Sequence, residues 1–106
     1  MDYVIGFITT SGQKESETIA RVLLDKRLAA CVNIVPKVSS LFLWKGKIDS
    51  SDESLMVIKT RKQLAGELIE EVRKHHSYDV FEAICMPVVQ GNRAYLDWID
   101  EELKKD

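Results

Sequence analysis

From Ala29 to Ile48 the chain reads AACVNIVPKVSSLFLWKGKI, a long run of strand-forming residues with few breaks. About 20 residues at roughly 3.3 Å each would reach about 65 Å if straight. A domain of this size has a radius of gyration of only about 13 Å. The run must therefore bend, or project beyond the body it belongs to. Pro36 is the natural break, because proline has no N–H to give to a central ladder. Beyond it, Phe42 and Trp44 share one face, and Leu41 and Leu43 share the other. The polar cluster Asp49–Ser50–Ser51–Asp52 is expected to reverse the chain, with Glu53 to Thr60 (ESLMVIKT) returning as a second strand. Such a hairpin carries apolar side chains on both faces, which a lone ribbon cannot bury. Its edges are also open to pairing. A neighbouring subunit resolves both problems, so an oligomer is expected. The alternative is that the hairpin folds back over its own sheet.

The remaining elements fall into a simple order. Tyr3 to Thr10 (YVIGFITT) reads as a strand buried on both faces. Between Gln13 and Leu28 the period changes to a helical one, with Ile19, Val22 and Leu23 on one face. A second helix is expected from Arg61 to His75 or His76, on the stripe Leu64, Leu68 and Val72 widened by Ala65 and Ile69. A short strand, Ala83 to Val89, follows, and Pro87 inside it suggests an edge or a bulge. Asn92 is placed to cap a last helix, Arg93 to Lys104, whose buried face would hold Tyr95, Leu96, Trp98 and Ile99. Two strand–helix–strand units with a hairpin between them make a split βαβ layout. The fold class is therefore α+β: a ferredoxin-like βαββαβ sandwich with an additional C-terminal helix and a long inter-subunit β-hairpin, in one domain spanning 1–106.

Charge and motifs narrow the functions. A net charge of −2 gives no electrostatic reason to expect nucleic acid, and the basic stretch Lys59–Lys62 reads as a strand end and helix entry. No apolar run reaches bilayer length, so no membrane partner is expected. The start MDYVIGFITTSG lacks the basic region of a signal peptide, and a cytoplasmic location is expected. Cys31 and Cys85 lie in apolar runs and read as two buried thiols. There is no zinc spacing, Walker loop or dinucleotide fingerprint. A buried Cys31 without a partner to lower its pKa is inert. The chain therefore reads as a binding or scaffolding protein rather than an enzyme.

The one stretch that concentrates chemistry is RKHHSYDVFE, Arg73 to Glu82. Imidazole suits copper, zinc and nickel, so His75 and His76, with Glu82, are the candidate metal ligands. Adjacent helical residues point about 100° apart, however, and do not converge on one ion. The structural alternative makes one histidine part of the core and the other a cap for the helix end. Trp44, Lys59, Tyr78, Glu82 and Trp98 are polar-tipped or charged groups near apolar segments, candidates to line a cleft between subunits. Their alternative is a purely structural role, with Lys59 and Glu82 paired at a strand end.

Five stretches, KRLAACVNIVP, SLFLWKGKI, LMVIKT, HHSYDVFE and GNRAYLDWI, taken in this order and spacing, resemble the CutA family of divalent-cation tolerance proteins. The resemblance covers nearly the whole chain. It implies a compact homotrimer in which long hairpins pair between subunits, with an architecture like that of the PII signalling proteins. It also implies a link to copper or another divalent metal, with no obligatory cofactor and no firmly attached enzymatic activity. The family's Tyr-x-x-Pro-Glu appears here as Tyr78-Asp79-Val80-Phe81-Glu82, with phenylalanine in place of proline. The first strand also lacks the cysteine that some members carry. Three readings follow: direct metal binding, a PII-like sensor of a small anionic ligand at the subunit cleft, and a trimeric scaffold for an unidentified protein partner.

Overall fold

The computed structural model describes residues 2–105. Four strands and three helices follow the order β1 (Tyr3–Thr10), α1 (Gln13–Asp25), β2 (Cys31–Trp44), β3 (Lys47–Arg61), α2 (Lys62–Arg73), β4 (Ala83–Pro87) and α3 (Arg93–Glu102). The sheet order is β2-β3-β1-β4, with every neighbouring pair antiparallel. This is the ferredoxin-like sandwich with an added C-terminal helix.

Alternation explains the core. On β1 and β3, Val4, Ile8, Met56 and Ile58 face one side and are buried. Ile19, Ala20 and Leu23 of α1 and Leu64, Leu68 and Val72 of α2 belong to the same buried cluster. Each such aliphatic side chain contributes about 1.5–3 kcal/mol through burial. The other face of β1 is only half-buried, at Ile5 and Phe7, rather than fully covered. The reason is that α3 binds only one end of the molecule. There the Tyr3 hydroxyl donates to Asp100, Arg61 donates to the Lys104 carbonyl, and the Lys104 amide donates to Arg27. Asn92 caps α3 by accepting from the Ala94 amide at 3.0 Å. Leu96 and Ile99 are buried as expected, but Tyr95 and Trp98 stack on each other and stay exposed.

Helix α1 ends earlier than the periodicity suggests. Arg27 takes a left-handed conformation (φ 55°), and the Leu28 amide reaches back to the Leu23 carbonyl at 2.9 Å. This double-bonded C-terminal turn lets Leu28 enter the core without continuing the helix. Helix α2 likewise stops at Arg73, so both histidines lie beyond it.

The long run folds as a hairpin whose turn is not where the polar cluster predicts. Trp44 pairs with Lys47, and Lys45 and Gly46 have φ of 52° and 79°, the two-residue turn with both central residues left-handed. Asp49 to Asp52 are strand residues instead. They are polar because that part of the hairpin leaves the body, not because the chain turns there. The longest dimension of the molecule is 44 Å, matching the ~46 Å expected of a 14-residue strand. Pro36 sits in an edge strand, at a register shift between Val35 and Val38. A fully buried chain of hydroxyls anchors this point. Thr10 and Ser16 are 2.7 Å apart, Ser16 and Ser54 are 2.9 Å apart, and Ser54 donates to the Val35 carbonyl.

Leu41, Leu43 and Ile48 share one face of the projecting part and are 73%, 75% and 77% exposed. Phe42 and Trp44 share the other face with Asp49 and Glu53. Cys85 is exposed, not buried, because β4 is a sheet edge, and Cys31 is half-buried. Both are free thiols. No helix among the described residues is long and apolar enough to cross a membrane.

Candidate functional site

The segment after α2 is held by its own side chains. The amides of His75 and His76 both reach the Val72 carbonyl, closing the helix. His76 then turns inward, with its side chain fully buried. Its Nε2 donates to the Thr9 carbonyl at 2.8 Å, and its Nδ1 accepts from the Tyr78 amide at 3.0 Å. These partners define the tautomer and occupy both ring nitrogens. Phe81 stacks on the imidazole with centroids 4.9 Å apart, and Arg73 lies over the other ring at 5.3 Å. The segment thus gains from a stacked ring the rigidity that a proline at this position supplies through its fixed φ.

Glu15, in the first turn of α1, ties down the same segment. One oxygen accepts from the Ser11 amide and hydroxyl and from the Ser77 hydroxyl, and the other accepts from the Ser77 amide at 2.6 Å. Burial pushes the Glu15 carboxyl up, but the donors from Ser11 and Ser77 outweigh it and hold the group below the usual glutamate range.

Between this segment and the hairpin lies an open groove of ≈ 960 Å³. Phe42 and Trp44 line the hairpin side, and Tyr78, Asp79 and Glu82 line the loop side. Tyr78 bridges the two by donating to Glu53 at 2.9 Å. Burial, and then the Glu53 carboxylate that accepts its proton, push the Tyr78 hydroxyl up to about 12, so it stays a donor. Glu82 accepts a long hydrogen bond, 3.4 Å, from the Thr9 hydroxyl. With Asp49 the groove has four carboxylates, and none of the residues lining it is basic.

The structure brings some of the candidate residues together and separates others. Trp44, Tyr78 and Glu82 line the groove. Lys59 lies elsewhere on the sheet, donating to Asn33 and 3.9 Å from Cys31 Sγ, so it does not pair with Glu82. Trp98 stacks on Tyr95 on α3. The three candidate metal ligands do not form one site within a chain. His75 faces back to Glu71 at 3.5 Å, His76 is buried with both nitrogens occupied, and Glu82 points to Thr9. The two imidazoles take different partners: His75 reaches back along α2 to Glu71, and His76 crosses to the Thr9 carbonyl. Among the described residues no group of three His, Cys, Asp or Glu side chains is arranged to hold a metal ion. Asp49, Glu53 and Asp79 are groove residues that the sequence reading did not single out. Once the turn is placed at Lys45–Gly46, simple alternation puts Asp49 and Glu53 on the Phe42/Trp44 face.

Fold and groove together define a small ferredoxin-like sandwich with an acidic, aromatic cleft along one face of a projecting hairpin. Residues 4–102 match the family described as CutA1 divalent ion tolerance protein, and the chain belongs to that family. It is 42% identical to the divalent-cation tolerance protein CutA of Thermus thermophilus over 94 residues, 89% of this chain and 91% of that protein. It is 47% identical to mouse protein CutA over 95 residues, 90% of this chain, and spans 54% of the length of that relative. Among solved structures, CutA1 from Oryza sativa superposes with a TM-score of 0.96 at 35% identity, covering 100% of this chain and 97% of that one. The CutA structure from Archaeoglobus fulgidus, described as a periplasmic divalent cation tolerance protein, gives 0.93 at 40% identity, covering 96% and 99%.

Proposed function

We propose that this chain works as a cytoplasmic homotrimer in the response to divalent metal ions, without catalysing a reaction and without an obligatory cofactor. The observation that carries the assembly is the hairpin. Leu41, Leu43 and Ile48 form an exposed apolar stripe that a monomer has no means of burying. The sheet also has two unlike free edges, β2 and β4, which suits head-to-tail pairing around a closed ring. Two free thiols suit a reducing compartment.

The metal part of the reading is supported by the similarity to proteins named for divalent-cation tolerance and by the carboxylates of the groove. Copper or another divalent ion is the candidate. Of the three candidate ligands, His75 and Glu82 have exposed side chains. Direct coordination at His75 and Glu82 needs further ligands from a second copy. A PII-like sensor of an anionic ligand is disfavoured by four carboxylates and no basic residue lining the groove. A scaffold for an unidentified protein partner is the reading left if no ion binds.

Calorimetric titration with Cu(II) tests the metal reading. Saturable binding is expected, and His75→Ala and Glu82→Gln should weaken it. Unchanged binding in both variants would remove these ligands from the reading. His76→Ala is a poor probe, because it opens the buried packing of the loop. Light scattering tests the assembly: three times the chain mass of 12.1 kDa is expected, and a monomer at micromolar concentration would overturn it.

A further inference from the structure

The point where the hairpin leaves the body is held from both sides. Strand β3 passes there from the exposed Asp52 to Glu53 and Ser54, both buried. Consecutive strand residues point to opposite faces. On one face, Ser54 donates to the Val35 carbonyl at 3.2 Å and accepts from Ser16 of α1, which lies 2.7 Å from Thr10 of β1. On the other face, Glu53 accepts from the Tyr78 hydroxyl at 2.9 Å, in the loop that His76 and Glu15 tie down. Both contacts fall at the register shift between Val35 and Val38. A bulge of this kind interrupts the ladder and bends the strand. The exposed Lys37–Asp52 pair beside it, 3.6 Å apart, adds little. Stability does not explain three hydroxyls enclosed in an aliphatic core. Thr10, Ser16 and Ser54 are fully buried, and apolar side chains of the same shape would hold the place about as well. What a satisfied buried network adds is one defined geometry.

We propose that these bonds form a two-sided clamp that presets the angle of the hairpin, with Ser54 and Tyr78 as its positioning residues. An arm fixed before contact loses less freedom when a second copy docks on it. The role in assembly rests on the oligomer proposed above, whereas the clamp itself does not.

Amide residual dipolar couplings of the full chain test it, in a Leu43→Asp background that separates the copies at an exposed position. With the clamp intact, couplings of the tip, residues 41–48, are expected to fit the same alignment as those of the body. Ser54→Ala or Tyr78→Phe should shrink the tip couplings by about one third and leave those of the body in place. Both changes together should exceed the sum of the two, because each face alone still restrains the ribbon. Thr60→Val removes a buried hydroxyl bond to the Leu28 carbonyl at the far end of β3, and should leave the tip couplings unchanged. Averaged tip couplings with the clamp intact would overturn the proposal, since only a partner would then hold the arm. So would unchanged couplings in Ser54→Ala and Tyr78→Phe, or an equal loss in Thr60→Val, which would be general loosening. In the chain with Leu43 restored, Ser54→Ala should raise the concentration of half-dissociation about tenfold. Ser54 is enclosed within one chain, so that rise does not come from a lost contact between copies. An unchanged value would remove the role in assembly. A monomeric chain with aligned tip couplings would remove the oligomer and leave the clamp standing.

Discussion

Strand β3 belongs to two different environments. Its second half, Leu55 to Thr60, alternates between buried and half-buried positions, and Met56 and Ile58 are completely enclosed. Its first half, Lys47 to Asp52, is almost entirely exposed, yet the ladder to β2 is unbroken there. Backbone pairing is therefore the same at both ends, and only side-chain burial differs. The base is stabilised by the chain's own helices. The tip has partners only across the ribbon, and an isolated two-stranded ribbon is marginal in water.

Four substitutions would break or sharpen that contrast. The largest effect belongs to the base. Leu23 is fully buried between α1 and the sheet, and Leu23→Ala should destabilise the chain by about 2–5 kcal/mol in chemical denaturation. The matching change at the tip, Leu43→Ala, should lower the midpoint only in a concentration-dependent way, as loss of a contact between copies does. A loss independent of concentration would place Leu43 in the chain's own core instead.

Next is the loop that closes against the base. Glu15→Gln replaces a carboxylate that accepts four hydrogen bonds and should cost about 1–2 kcal/mol at neutral pH. Its folded-state pKa is depressed. The stabilisation is thus complete above the ordinary glutamate pKa and is lost as pH falls through the lower folded value. A stability profile measured from pH 6 down to pH 2, about the range where carboxylates titrate, should be flatter in the variant. Parallel profiles would show that Glu15 is not the group responsible.

The smallest effect is at the turn. Gly46 has φ of 79° with open space around it, so Gly46→Ala should cost about 1 kcal/mol through backbone conformation alone. Thermal melting checks this. An unchanged midpoint would mean that the tip contributes nothing to the cooperative unit.

Legibility from sequence followed the same division. Where side chains are sorted by burial, the pattern could be read directly, as in the Leu64–Leu68–Val72 stripe; the Asn92 cap was legible by residue type, and β1 was legible as a strand but not in the half-burial of its second face. Along the projecting ribbon no burial sorts them, so the polar Asp49–Asp52 looked like a turn while the real one is marked by a single glycine. The groove was half visible for that reason. Trp44, Tyr78 and Glu82 stand out by type, whereas Asp49 and Glu53 join them only through the register that the turn sets. The Thr9 carbonyl that His76 bonds to, and the Glu15 carboxylate that holds Ser77, lie more than 60 residues away in sequence. No local pattern announces them.

The irregularity at Pro36 also has a consequence for how the hairpin's letters are decoded. Val35 pairs with Leu55 and Val38 with Glu53, so β2 uses one residue more than its partner over this step. The extra residue acts as a frame shift. Before it, odd-numbered side chains point to the open face of the sheet, and after it even-numbered ones do. Phe42 and Trp44 reach the carboxylates only in the shifted frame. In the original frame the same strand would turn Leu41 and Leu43 toward Asp49 and Glu53 and send both aromatic rings to the opposite side.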